Sequence, residues 1–179
     1  MWKFLLPFAA FVALVVLFAF GLNPMRDIHE LPSPLLGKPA PVFTLTDVLD
    51  ASRTVSNGAL KGQVYLLTSW GTWCGECRVE LPAMLEISRQ HVVPIIGLDY
   101  MDDREKAKQW LEQLGNPYTA AAFDSDGRTA IDWGIYGAPE TFLVDARGRV
   151  IYKFITPLTQ EVWEHEFLPR IAAARRDGA

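Results

Sequence analysis

Only two of the 179 residues are cysteine and only three are histidine. Two cysteines cannot build the multi-bridge framework by which small exported domains make up for a thin core. His29, His91 and His165 are spread along the chain with no ligand-pair spacing, so the other half of a tetrahedral zinc site is missing. Basic runs are missing too. The 17 lysines and arginines are scattered among 21 acids, for a net charge of −4, and leave no electrostatic footprint for nucleic acid. There is no internal repeat, and the length suits one domain with a full core and one short appendage.

The sequence does hold one long apolar run. From Phe4 to Leu22, FLLPFAAFVALVVLFAFGL, about 19 residues pass without a charge, roughly the length of a bilayer-crossing helix. A cleaved signal peptide is the alternative, because Ala19 and Gly21 form a small-x-small pair, but its apolar region is usually about 7 to 15 residues long. Length therefore favours a retained transmembrane anchor over residues 1–22, with Lys3 before it, Arg26 after it and the body across the membrane. Residues 23–38 are proline-rich and aperiodic and read as an extended linker, leaving 39–179 as the folded domain. Both readings of the N-terminus place that domain where disulfides persist.

Within the domain, strand and helix signals alternate. VFTLTDV and the run from Val64 to Ser69 read as strands, and SNGALKGQ between them carries turn signals. Gly75 to about Gln90 reads as a helix with Val79, Ala83 and Ile87 on its apolar stripe and a kink at Pro82. VVPIIGLDY is a buried-type strand, DDREKAKQWLEQLG a well-punctuated helix, YTAAAF a short strand and DSDGRTAIDWGI a turn with a short helix. Thr141–Val144 and Val150–Phe154 flank DARGR and should pair as a hairpin, and TQEVWEHEFLPRIAAARR closes the chain as an amphipathic helix. The expected fold class is α/β: a mixed sheet with parallel crossovers first, an antiparallel hairpin at its edge, and flanking helices.

Both cysteines fall in SWGTWCGECRVELP, where a strand runs into a helix. A CxxC pair in the first helical turn has a physical rationale, since free N–H groups and the helix dipole stabilise a thiolate at the first sulfur. Cys74 is then the nucleophile that forms a mixed disulfide with a partner, and Cys77, one turn further in, the thiol that resolves it. Three other readings compete. A zinc site lacks its remaining ligands, a static staple would close a loop too small to stabilise much, and a thiolate Cu(I) module stays open as a non-enzymatic alternative.

WGTWCGEC after a strand, with YGAPETFLVD about 60 residues later, resembles the thioredoxin-like fold with its active-site motif and facing cis-proline loop, over roughly Leu36 to Phe167. GKPAPVFTL, WGTWC, LGNPY, GIYGAPETFLVD and PLTQEVWE resemble more narrowly the membrane-anchored reductases of cytochrome c maturation, the DsbE or CcmG type. VELP after the second cysteine is closer to TlpA- or ResA-like reductases, which serve other clients. GKPAPVF is also similar to peroxiredoxins, but those carry a threonine three residues before the reactive cysteine, where this chain has Gly71.

The resemblance implies roles for further residues. Pro139 becomes a cis-proline against the dithiol, and the main chain of Ala138 pairs with an extended client in the manner of strand addition. Glu80, three residues after Cys77, becomes the group that takes a proton from the resolving thiol, replacing the buried acid whose place here is taken by Thr68. Trp73 covers Cys74, and Glu140 shapes the rim, although a solvated loop glutamate is an equal reading of it. Glu76, between the cysteines, adds a negative charge worth about 0.3 to 1 kcal/mol, or roughly 5 to 20 mV towards a better reductant. No cofactor beyond the Cys74–Cys77 pair is implied. The implied partners are apocytochrome c, or a thiol protein of its maturation, and a membrane thiol carrier of the DsbD or CcdA type. The implied location is the inner membrane, with the domain in the periplasm.

Overall fold

The computed structural model describes residues 2–21 and 33–177, with side chains at 4–18 and 33–176. The N-terminal apolar run forms helix α1 (Trp2–Gly21), with Pro7 inside it and its described side chains exposed. Among the described residues no helix is long and apolar enough to cross a membrane. The first part of the expected linker, up to residue 32, lies outside the described residues.

The remainder of that linker is already part of the body. Gly37 N–H donates to the Val150 carbonyl at 2.8 Å, Val150 N–H to that of Lys38 at 3.0 Å, and Ala40 N–H to that of Gly148 at 2.8 Å. Leu35 packs on the core, so the docked chain begins ahead of the expected boundary at 39.

Seven strands form one sheet in the order β2-β1-β5-β4-β3-β6-β7. Their ranges are β1 Thr44–Asp47, β2 Thr54–Ser56, β3 Tyr65–Trp70, β4 Ile95–Tyr100, β5 Ala120–Asp124, β6 Glu140–Val144 and β7 Val150–Phe154. The β3/β4 and β4/β5 pairs are parallel and the others antiparallel. β3 and β4 are buried along their whole length, as strands covered on both faces must be. The hairpin β6–β7 closes one edge as expected. A second hairpin, β1–β2, closes the other; three residues of β2 are too few for alternation to show in the sequence.

Helices cover both faces. α2 (Gly75–Arg89), α3 (Arg104–Leu114), a π-helical turn (Trp163–Phe167) and α6 (Leu168–Asp177) pack through Leu81, Met84, Leu111, Phe167 and Ile171 on one face. α4 (Arg128–Asp132) and the docked N-terminal arm cover the other through Ala130, Phe43 and Ala40. The closing helix expected as one piece is α5 (Gln160–Val162), the π turn and α6 in succession; the wider turn brings Trp163 and Phe167, both buried, into a stack 6.0 Å apart.

α2 departs from expectation in its face. Its buried residues are Cys77, Glu80, Leu81, Met84 and Ile87, while Val79 is 68 % exposed. With Cys77, Glu80 and Met84 buried on one side of the helix, Val79 falls on the opposite side, and the helix continues unbroken through Pro82.

Candidate active site

β3 ends at Trp70, and Gly71–Cys74 carry the chain onto α2. The turn is tight because Trp73 folds back over Gly71, where a β-carbon would collide with its indole. Trp73 stays half exposed, donates its Nε1–H to the Tyr100 carbonyl at 3.2 Å and meets the Tyr100 ring edge-on at 5.3 Å. The amide and hydroxyl of Thr72 both donate to the Asp102 carboxylate, the hydroxyl at 2.8 Å.

Cys74 is the N-cap of α2, and its Sγ accepts the Cys77 N–H at 3.0 Å. This is the arrangement that favours negative charge on the first sulfur. Cys74 and Cys77 are joined as a disulfide, with Cys74 6 % and Cys77 2 % exposed. The covering groups are now visible: Cys74 Sγ lies 3.3 Å from the Ala138 carbonyl oxygen, and the Ala138–Pro139 bond is cis. An oxidised sulfur carries no proton, so that approach is a contact in this state and becomes a hydrogen bond only when the thiol forms.

The loop bearing Pro139 is pinned from beneath by a residue sequence reasoning did not single out. Ser69 Oγ donates to the Gly137 carbonyl at 3.1 Å and accepts the Glu140 N–H at 3.0 Å. Glu140 itself is no solvated rim residue: it is 4 % exposed, accepts the Tyr136 N–H at 2.9 Å, and pairs with buried Lys153 at 2.7 Å. Lys153 also donates to the Gly134 carbonyl at 2.8 Å and lies over the Tyr136 ring at 4.6 Å. The expected rim or solvated-loop place for Glu140 is thereby corrected to a buried one. Its first position in β6 faces inward, and it braces the loop instead. No signal in one sequence separates such a brace from an exposed glutamate, because the deciding partner, Lys153, belongs to the next strand.

Glu80 is 2 % exposed, one turn after Cys77 on the same buried stripe. Its Oε2 accepts the Leu158 N–H at 2.9 Å. Burial pushes its carboxyl up to about 8, with the Leu158 amide opposing. Thr68 is fully buried, its hydroxyl 3.1 Å from that of Thr141, and leaves Glu80 as the acid nearest in sequence to the pair on this face. Among the described residues no group of three or more His, Cys, Asp or Glu is placed to hold a metal ion. A cavity of about 220 Å³ lined by Asp145, Arg149 and Arg170 lies at the β6–β7 turn, at the other end of β6 from Pro139.

Residues 35–167 match the Redoxin family. The chain is 42 % identical to the thiol:disulfide interchange protein DsbE of Allochromatium vinosum, over 94 % of this chain and 92 % of that protein. It is 46 % identical to DsbE of Xylella fastidiosa, over 89 % and 81 %, and 42 % identical to DsbE of Escherichia coli, over 80 % and 77 %. A secreted thiol-disulfide isomerase from Corynebacterium glutamicum shares the fold at 21 % identity, with a TM-score of 0.67 over 84 % of this chain and 95 % of that one. A thioredoxin family protein from Chlorobium tepidum does so at 23 %, with a TM-score of 0.63 over 76 % and 95 %.

Proposed function

The chain belongs to the DsbE family of thiol:disulfide interchange proteins and is a thiol:disulfide oxidoreductase, and we propose that it works as a reductant in which Cys74 attacks and Cys77 resolves. The observation that carries this is the disulfide itself: Cys74 caps α2 with its sulfur on a backbone amide, beneath the Ala138 carbonyl and the cis-proline.

The cycle starts from the dithiol. The Cys74 thiolate attacks one sulfur of a client disulfide, the S–S bond breaks, and the other client sulfur leaves with the electron pair and takes up a proton. Cys77 then gives up its proton and attacks Cys74 Sγ, which forms the Cys74–Cys77 bond and releases the second client thiol. Oxidation of the pair thus reduces the client by two electrons. Glu80 is the acceptor for the Cys77 proton, reached through water. Burial, which pushes its carboxyl up to about 8, leaves a minor ionised fraction at neutral pH; that fraction takes the Cys77 proton and passes it on to the departing client thiolate. Ala138 and Pro139 align the client's main chain, and Trp73, half exposed beside Cys74, offers it an aromatic face.

The client we infer from the family resemblance is apocytochrome c, or a thiol protein of its maturation, reduced before haem attachment. A membrane thiol carrier of the DsbD or CcdA type returns the pair to the dithiol. The apolar N-terminus serves as a single-pass anchor in the inner membrane, 39–179 acts in the periplasm, and no cofactor beyond the cysteine pair takes part. Two variants test the reading. Cys74→Ser should lose exchange, and Cys77→Ser should accumulate a mixed disulfide whose partner is identified by mass spectrometry. Ordinary turnover by Cys74→Ser defeats the catalytic assignment; a trapped partner unrelated to cytochrome c maturation replaces the client and leaves the chemistry in place.

A further inference from the structure

The segment that follows β4 grips the chain leading to Cys74. The Tyr100 carbonyl accepts the Trp73 indole N–H, and two residues later the Asp102 carboxylate accepts both the amide and the hydroxyl of Thr72. Between them Met101 has φ of +52°, a left-handed turn that is unfavourable for a non-glycine residue, and its N–H donates to the Asp124 carbonyl at 3.0 Å. That turn brings a second residue of the same segment back onto the same loop.

Asp99 lies beneath. It is fully buried, and neither of its carboxyl oxygens has a hydrogen-bond partner among the described residues. Strand alternation puts it on the face of Gly97, over which Trp70 and Tyr118 lie, and it pairs in register with Trp70. The charged or titratable groups that face it are Asp102 on its own segment, Arg104 from α3, Asp124 from β5 and Tyr118 before β5.

We propose that Asp102 is a positioning residue for disulfide exchange, holding Thr72 so that Cys74 keeps its place at the mouth of α2, and that Asp99 is the buried acid whose ionisation loosens that hold. The proposal rests on the reading of Cys74 as the attacking thiol. Burial first, and the Asp102 carboxylate second, push Asp99 up to about 8, against the pull of Arg104. Below that pH one negative charge, on Asp102, faces an uncharged acid. Above it two like charges face each other where water is scarce. Asp102, the more exposed of the two, relieves the repulsion by moving, and its described partners on the active-site side are the two donors of Thr72. The pH at which Cys74 becomes reactive is thereby tied to a group that never touches the client.

The test uses the full chain in detergent micelles. In the oxidised protein the Thr72 amide resonance should titrate with an inflection near pH 8, and Asp99→Asn should abolish it. Glu80 titrates in the same range, which is why Asp99→Asn rather than the wild-type curve assigns the inflection. Asp102→Ala removes the acceptor of both Thr72 donors, so protection of the Thr72 amide from hydrogen exchange at pH 7 should fall by about tenfold or more. In the reduced protein, the ratio of Cys74 alkylation rates above and below pH 8 should differ between wild type and Asp99→Asn. A purely structural role would lower the melting temperature of these variants and leave the inflection in place. Absence of the inflection in wild type, its survival in Asp99→Asn, or unchanged Thr72 protection in Asp102→Ala overturns the proposal. If Thr72 behaves as stated but the reduced chain exchanges with no disulfide, the catalytic reading fails and the grip on Thr72 stands.

Discussion

Glu80 and Glu140 are both buried carboxyls near the disulfide, and the fold satisfies them in opposite ways. Glu80 has an amide donor and, among the described residues, no paired cation, so burial drives it towards the neutral acid; Glu140 has Lys153 at 2.7 Å. The difference is measurable as stability. Glu80 is raised from 4.5 to about 8 in the folded state, so its stabilising contribution is full below pH 4.5 and is lost as pH rises towards 8, by up to about 1.4 kcal/mol per pH unit. Glu80→Gln, compared with wild type by urea unfolding across that range, should flatten this part of the slope. An unchanged slope would mean that Glu80 is ionised in the folded protein. For the pair, Lys153→Met should cost about 3 to 5 kcal/mol, because it strands a buried carboxylate, and adding Glu140→Gln should recover much of the loss. A double-variant cost equal to the sum of the Lys153→Met and Glu140→Gln costs would show that the two residues act independently.

At the scale of the element, α2 carries both the chemistry and a piece of the core, and its two faces respond differently to substitution. Met84 is buried against the sheet, so Met84→Ala should cost about 2 to 5 kcal/mol, whereas Val79→Ser should stay within about 0.5 to 1 kcal/mol, read from denaturant midpoints. Asp103, whose carboxylate accepts the Lys106 N–H at 3.0 Å, caps α3; Asp103→Ala should cost about 1 kcal/mol. Sequence periodicity located both helices to within a residue or two, because capping residues and apolar spacing are local. It put Ile87 rightly in the core but Val79 wrongly, since a period of 3.6 admits either the Val79 or the Met84 face. Only the docking of Cys77 and Glu80 against the sheet selects between them.

For the molecule as a whole, the polarity of β6 sets the layout. Its first residue follows Pro139 at the disulfide, and its last leads into the turn on which the arm from Ser33 to Ala40 docks. The chain therefore enters the body at the end of the sheet remote from Cys74. If the apolar N-terminus is an anchor, the full chain should stay with membranes after an alkaline carbonate wash. Release by that wash would remove the anchor from the account.

The sequence by itself determined the order of the strands from β3 onward and of the helices between them, the hairpin after Val144 and the identity of the reacting pair, because turn chemistry, periodicity and CxxC spacing are all written in neighbouring residues. Tertiary structure decided what those residues face. Ser69 under the cis-proline loop, Lys153 against Glu140, Asp102 on Thr72 and the burial of Glu80 join residues that are far apart along the chain. Charge and proton affinity depend on the surroundings of a group in space, and those surroundings exist only once the sheet has assembled.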